Sequence, residues 1–176
     1  QTLLAFRLLD KRGLWSNWSF IALRALFFIL YSDSSFPFRR LLLAMAWRRL
    51  ETSIEIQILP DGAQHELSPH YHWVVLEIID SIARLADQAG DARGKSLPAL
   101  IERMKAFMRA FMLPDGSLAS FGDSDSIDGP RVSRFLGSSG GSLPSGSTVY
   151  PYAGIGVLLD AERGHHCIFD CGPYGR

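Results

Sequence analysis

Apolar residues recur at helical spacing along most of this chain. Residues 2–9 read as the end of a helix, closed by Asp10-Lys11-Arg12-Gly13. Ser16 and Asn17 are suited to cap a second helix over about 17–31, whose sequence is apolar almost throughout. That run is too short for the roughly 20 residues a bilayer core needs, and Arg24 interrupts it, so it predicts a helix buried on all sides rather than a membrane span. Asp33–Pro37 marks a break. A helix over about 37–57 follows, with Arg39, Arg40, Arg48, Arg49, Glu51 and Glu55 on a solvated face. Val74, Val75, Ile78, Ile79, Ile82 and Leu85 form the stripe of a helix over 69–89, which Gly90 ends. A polar loop at 91–96 leads to an amphipathic helix over 97–112. After the Gly- and Ser-rich stretch 137–147 the period changes from helical to strand-like. Thr148–Leu159 and His165–Cys171 read as strands joined by a hairpin turn at 160–164.

The central stretch is 58–75, ILPDGAQHELSPHYHWVV. Pro60-Asp61-Gly62 is a turn signal, because proline presets one dihedral and glycine accepts a positive one. Ser68 fits an N-cap and Pro69 the first helical position, where its missing N–H costs nothing. Tyr71 then sits in the first turn, one turn before Val75, flanked by His70 and His72. The positive potential of a helix start favours negative charge, so the phenol is expected to ionise below its usual range and to exchange a proton with a substrate. An aromatic at that place on a buried stripe is equally a core residue.

Leu113-Pro114-Asp115-Gly116 repeats Leu59-Pro60-Asp61-Gly62 at an offset of 54 residues, a length that fits two helices and their loops. Asn17 precedes Tyr71 by the same offset, so the two are expected at equivalent places on adjacent hairpins. Asn17 is either a helix cap or a substrate contact. Asp123 and Asp125, in the acidic loop 117–128, are expected to cap a short helix over about 130–136 or to contact a substrate.

Composition narrows the chemistry. The 176 residues suffice for a modest core, and 18 basic residues balance 18 acidic ones, which argues against a nucleic-acid surface driven by net charge. Cys167 and Cys171 lie about 13 Å apart on an extended strand, too far to bridge, and no second ligand cluster completes a zinc site with His165 and His166. The chain starts at Gln1 and stops after a strand-like run, which reads as a piece of a longer protein.

The pattern Pro60-Asp61-Gly62, Glu66, Ser68-Pro69, Tyr71-His72 resembles the heparinase II/III-like polysaccharide lyases. Gly122-Asp123-Ser124 and the segment from Tyr150 to Gly175 are similar to the same family. The resemblance implies a mainly α fold: the C-terminal part of an (α/α) toroid of helical hairpins over 1–137, a flexible linker over 138–147, and the first strands of an antiparallel β-sandwich over 148–176. It implies an enzyme that cleaves a uronic-acid-containing polysaccharide by β-elimination, heparin-like or alginate-like, without metal or other cofactor, in the periplasm or outside the cell. The acidic polysaccharide is then the partner, with no nucleic acid and no membrane span. Tyr71 takes the place of the catalytic acid. Asn17 takes that of the asparagine that neutralises the uronate carboxylate, although Trp18 stands where the family often has histidine. Trp18, Glu66, His70 and His72 are expected to touch the sugar, and a histidine beyond Arg176 to complete the site. Two other readings fit a helical toroid: an inverting glycoside hydrolase using carboxylates among Asp61, Glu66, Asp123 and Asp125, and a sugar-binding toroid without catalysis.

Overall fold

The computed structural model describes residues 16–113, 116–125, 127–137, 146–160 and 162–172. The helix expected over 2–9, its stop at 10–13 and most of the linker 138–147 lie outside the described residues. Among those described, five α-helices precede three strands: α1 (Trp18–Ser32), α2 (Arg39–Gln57), α3 (Pro69–Gln88), α4 (Leu97–Arg109), α5 (Gly129–Phe135), β1 (Thr148–Tyr150), β2 (Ile155–Asp160) and β3 (His165–Asp170). This is the expected class, helical hairpins followed by antiparallel strands. The described chain forms two compact units. One comprises the residues up to Ile58 together with Val74–Ile101, the other Leu59–Trp73 together with the residues from Glu102 onward.

In the first unit, α1 and α2 form a hairpin. Phe20, Leu23, Phe27 and Leu30 of α1 and Leu43, Trp47 and Leu50 of α2 are buried at three- and four-residue spacing. The expectation that α1 is buried on all sides fails: Arg24 and Phe28, one turn apart, lie on an open side, with Phe28 59% exposed. Apolar composition alone does not choose the face, and α1 buries one stripe of it. The α2 helix starts at Arg39, two residues later than the pattern predicted, because Phe38 takes a left-handed backbone (φ 56°). The stretch 91–96 is no loop. It holds a short 3-10 helix, Ala92–Ser96, whose first turn Asp91 caps by accepting from the Arg93 N–H. Asp91 also accepts from the Tyr31 hydroxyl at 2.7 Å and from the Arg93 guanidinium, while the Trp47 indole N–H donates to Tyr31 at 3.1 Å. Burial and then the bond to Asp91 push the Tyr31 phenol up to about 12, and the Arg93 hydrogen bonds hold the Asp91 carboxyl well below the usual range.

In the second unit, Phe107, Ala110 and Phe111 pack with Ala63, Ala153, Ile155 and Val157. The strands run antiparallel in the order β1-β2-β3, with Val149 opposite Gly156 and Gly156 opposite Phe169. Ile155 and Val157 face inward, whereas Val149, Leu158 and Phe169 lie exposed on the other face. The strand expected over 148–159 is broken into two. Pro151 cannot donate into a ladder and Gly154 turns with φ 69°, so the segment folds back on itself. The helix expected to reach 112 ends at Arg109, and Met112 pairs with Leu118 instead. Trp73 stacks edge-on against Phe135 of α5 at 5.0 Å. The cap of α5 is Asp128, through the Arg131 N–H, and neither Asp123 nor Asp125.

The two copies of the Leu-Pro-Asp-Gly turn share one hydrogen-bond scheme. Leu59 N–H donates to Ala63 and Gly62 N–H to Leu59; Leu113 N–H donates to Ser117 and Gly116 N–H to Leu113. Gly62 and Gly116 have φ of 90° and 81°. They differ in surroundings. A Cβ on Gly62 would stand 2.7 Å from the Arg103 carbonyl oxygen, whereas one on Gly116 would meet nothing described within 4 Å. Alanine at either site therefore carries the left-handed cost of about 1–2 kcal/mol, and only Gly62→Ala adds a clash with α4. Thermal unfolding should show a clearly larger drop for Gly62→Ala than for Gly116→Ala; equal drops would refute the close approach as a source of stability.

Candidate active site

The start of α3 is built by one hydroxyl. Ser68 Oγ accepts from the Tyr71 N–H at 3.4 Å, as an N-cap does, and contacts the Asp123 carbonyl oxygen and Ser124 Oγ at 2.9 Å each. Only the first of these was predictable locally. The residue before the cap, Leu67, holds a left-handed backbone (φ 54°), a cost of about 1–2 kcal/mol for a residue with a Cβ. Its N–H donates to the Gln64 carbonyl and its side chain packs on the core of this unit, which keep it there.

Tyr71 projects from this helix start and is partly exposed. Its hydroxyl donates to Asp123 Oδ2 at 3.3 Å. The expectation of an easily ionised phenol is reversed. The Asp123 charge, and then its hydrogen bond, hold the phenol above its ordinary value, and Glu66 and Asp125 push the same way. Three carboxylates thus oppose the effect expected of the helix start. His70 lies beside Tyr71, ring centres 5.5 Å apart, with Nδ1 3.6 Å from Asp125 Oδ2. Glu66 is exposed and accepts from the Gln64 side-chain amide at 3.1 Å. A cavity of about 220 Å³ opens beside these residues, lined by Pro69, Ser117, Ser120, Ser124, Asp125 and Ile127 among others. The structure thus brings together Tyr71, His70 and Glu66 with Asp123 and Asp125.

His72 does not join them. It is 1% exposed, packs 5.0 Å from the Phe107 ring, and has both ring nitrogens engaged. Nδ1 accepts from the Gln64 N–H at 3.3 Å, so Nε2 carries the proton and donates to the Met104 carbonyl at 3.0 Å. The expected sugar contact is corrected to a core brace between the motif loop and α4, because the residue after Tyr71 turns about 100° around the helix. Gln64, also buried, is the residue that sequence reasoning missed; it ties His72 to Glu66, and no local pattern marks it. Asp61 is likewise structural, its Oδ2 accepting from the N–H groups of Tyr152 and Ala153 at 2.9 Å each.

In the first unit, Asn17 precedes α1 at the cap position but makes no side-chain cap; its backbone is helical (φ −52°, ψ −24°). Ser16 Oγ accepts from the Trp18 N–H instead and donates to Asn17 Oδ1 at 3.4 Å. The Asn17 amide is therefore not consumed by helix capping. Trp18 is 72% exposed. Among the described residues no group of His, Cys, Asp and Glu could hold a metal, both cysteines are free and exposed, and no helix is long and apolar enough to cross a membrane.

Burial lowers the His72 imidazole to about 4. The unfolded chain binds that proton near 6.5, so the contribution of neutral His72 to stability is complete above about pH 6.5 and is lost as pH falls toward 4. Its size is about 3 kcal/mol. Chemical denaturation across that window should reveal the slope, and His72→Gln should be less stable at neutral pH but largely without it. An unchanged slope in the variant would exclude His72 as its source.

Known proteins share both this fold and the sequence of this region. The family model of the heparinase II/III N-terminus matches residues 15–140. A heparin-sulfate lyase of Bacteroides stercoris is 31% identical over 104 residues, which is 54% of this chain and 15% of that protein. A solved heparinase III gene product superposes with a TM-score of 0.75 at 20% identity, covering 92% of this chain and 29% of its own. The solved heparan sulfate lyase of Pedobacter heparinus gives 0.71 at 20% identity, covering 89% and 28%. The chain thus spans under a third of the length of each of these relatives. The match over 15–140, which includes every candidate residue from Asn17 to Asp125, makes this chain a member of the heparinase II/III family.

Proposed function

We propose that the protein to which this chain belongs is a polysaccharide lyase of the heparan sulfate type. It cleaves its polymer by β-elimination, with Tyr71 donating a proton to the leaving glycosidic oxygen. The observation that carries the reading is the placement of Tyr71: a phenol at an open helix start, protonated at neutral pH and hydrogen-bonded to a carboxylate. Family membership and the names of the similar proteins, which act on heparin or heparan sulfate, give the substrate class.

The chemistry follows from the acidity problem. The C5 proton of a uronate is removable only when the adjacent carboxylate is neutralised, since the developing enolate otherwise has no stabilisation. Asn17, whose amide is free of capping, supplies hydrogen bonds to that carboxylate. An imidazole base elsewhere in the protein takes the C5 proton. The electron pair of the C5–H bond forms the C4–C5 double bond, the C4–O bond breaks, and the departing oxygen takes the Tyr71 proton. Trp18 offers an exposed indole face for the sugar ring. A polymer of this size and charge does not cross a membrane unaided, so the enzyme acts in the periplasm or outside the cell. The hydrolase alternative is weakened by Asp61, whose carboxylate is committed to two backbone amides.

The test is made on the full-length protein with heparan sulfate, heparin, hyaluronan and alginate, following the ultraviolet absorbance of the unsaturated sugar, with Tyr71→Phe in parallel. A rise on heparan sulfate that drops by about 10²–10⁴ in the variant is expected. New reducing ends without that absorbance would establish hydrolysis instead.

A further inference from the structure

We propose that Asp123 is the positioning residue of this site: its carboxylate accepts from the Tyr71 hydroxyl and fixes the ring in the free enzyme, and the single phenol proton turns from Asp123 to the leaving oxygen when substrate binds. The inference rests on the lyase reading for its chemistry, but its geometry stands apart from it.

The Ser68 hydroxyl has a single proton. The Asp123 carbonyl oxygen, 2.9 Å away, can only accept, so that proton goes there. Ser68 Oγ must then accept from both Ser124 Oγ–H and the Tyr71 N–H. A single residue therefore caps the helix that carries Tyr71 and grips the main chain of the loop that carries Asp123. Ser124 adds a contact to the His70 N–H at 3.4 Å, and Gly122 turns the loop with φ 62°. All of this clamping uses the backbone of Asp123 and the side chain of Ser124. The Asp123 carboxylate takes no part in it, and its hydrogen-bond partner is the Tyr71 hydroxyl. An exposed acid held by its backbone, with its side chain spared for a phenol, is arranged to act on that phenol.

Among the described residues, four groups face Tyr71: Asp123, Glu66 and Asp125 as carboxylates, and His70 beside its ring. His70, when protonated, partly offsets Asp125, to which it lies at 3.6 Å. Asp123 is the largest influence, and it disfavours the phenolate, so removing its charge should let Tyr71 ionise at lower pH. Tyr71 would then lose its donor form earlier on the alkaline side.

The experiment compares wild type with Asp123→Asn in the full-length protein. Asparagine keeps the shape and the backbone clamp, and equal thermal unfolding checks this. Asp123→Glu restores the charge. Tyrosinate absorbance during an alkaline titration, taken as the difference from the matching Tyr71→Phe background, isolates Tyr71. In Asp123→Asn its midpoint is expected to move to lower pH. The alkaline limb of kcat on heparan sulfate should move in the same direction, with kcat reduced about tenfold, a fraction of what a positioned acid contributes, and KM little changed. Asp123→Glu should recover part of both. A Tyr71 midpoint that does not move overturns the proposal, even if kcat falls, because the loss would then come from the loop. A midpoint that moves while wild type forms no unsaturated product from any uronate polymer upholds the role of Asp123 and removes the lyase reading alone.

Discussion

The candidate site depends on the Ser68 hydroxyl more than on any other single group. Three bonds converge on one oxygen, and they join the Tyr71 amide of α3, the main chain of the acidic loop and the serine that follows Asp123. A strained residue, Leu67, stands immediately before it. Left-handed backbone at a residue with a Cβ persists only where its surroundings over-determine it. Here the motif loop is fastened on both sides, by Asp61 to the β1–β2 turn and by His72 and Gln64 to α4. The site residues are thereby held by a frame in which Asp61, Gln64, Ser68 and His72 have structural duties, while Glu66, His70 and Tyr71 stay accessible.

That division also explains the electrostatics. A helix start alone would favour the phenolate, and among the nearby residues of the motif Glu66 opposes it. Folding brings in carboxylates from a loop more than fifty residues away, and the nearest of them dominates because interaction at hydrogen-bond distance outweighs the diffuse potential of helix amides.

The helices were legible in the sequence because each buries a stripe at 3.6-residue spacing. The Ser68 cap and the Leu-Pro-Asp-Gly turns were legible because their chemistry is local. What escaped was long-range. Nothing near His72 announces that Gln64 and Met104 will satisfy both of its nitrogens, and nothing near Asp91 announces Tyr31. The break in the first strand was written in Pro151 and Gly154, but apolar flanks masked it. Asp123 and Asp125 were picked out as acids in the right loop and assigned the wrong partner, since the cap of α5 is the nearer Asp128.

The repeated turn has a consequence for how such a site can change. Asn17, Tyr71 and Asp125 fall at successive intervals of 54 residues, the spacing of the two turns. The three nevertheless differ in local structure: Asn17 is buried just before α1, Tyr71 stands in the first turn of α3, and Asp125 lies in the loop ahead of α5. Equal spacing along the chain therefore does not make the three interchangeable, and a substitution at each acts through its own surroundings.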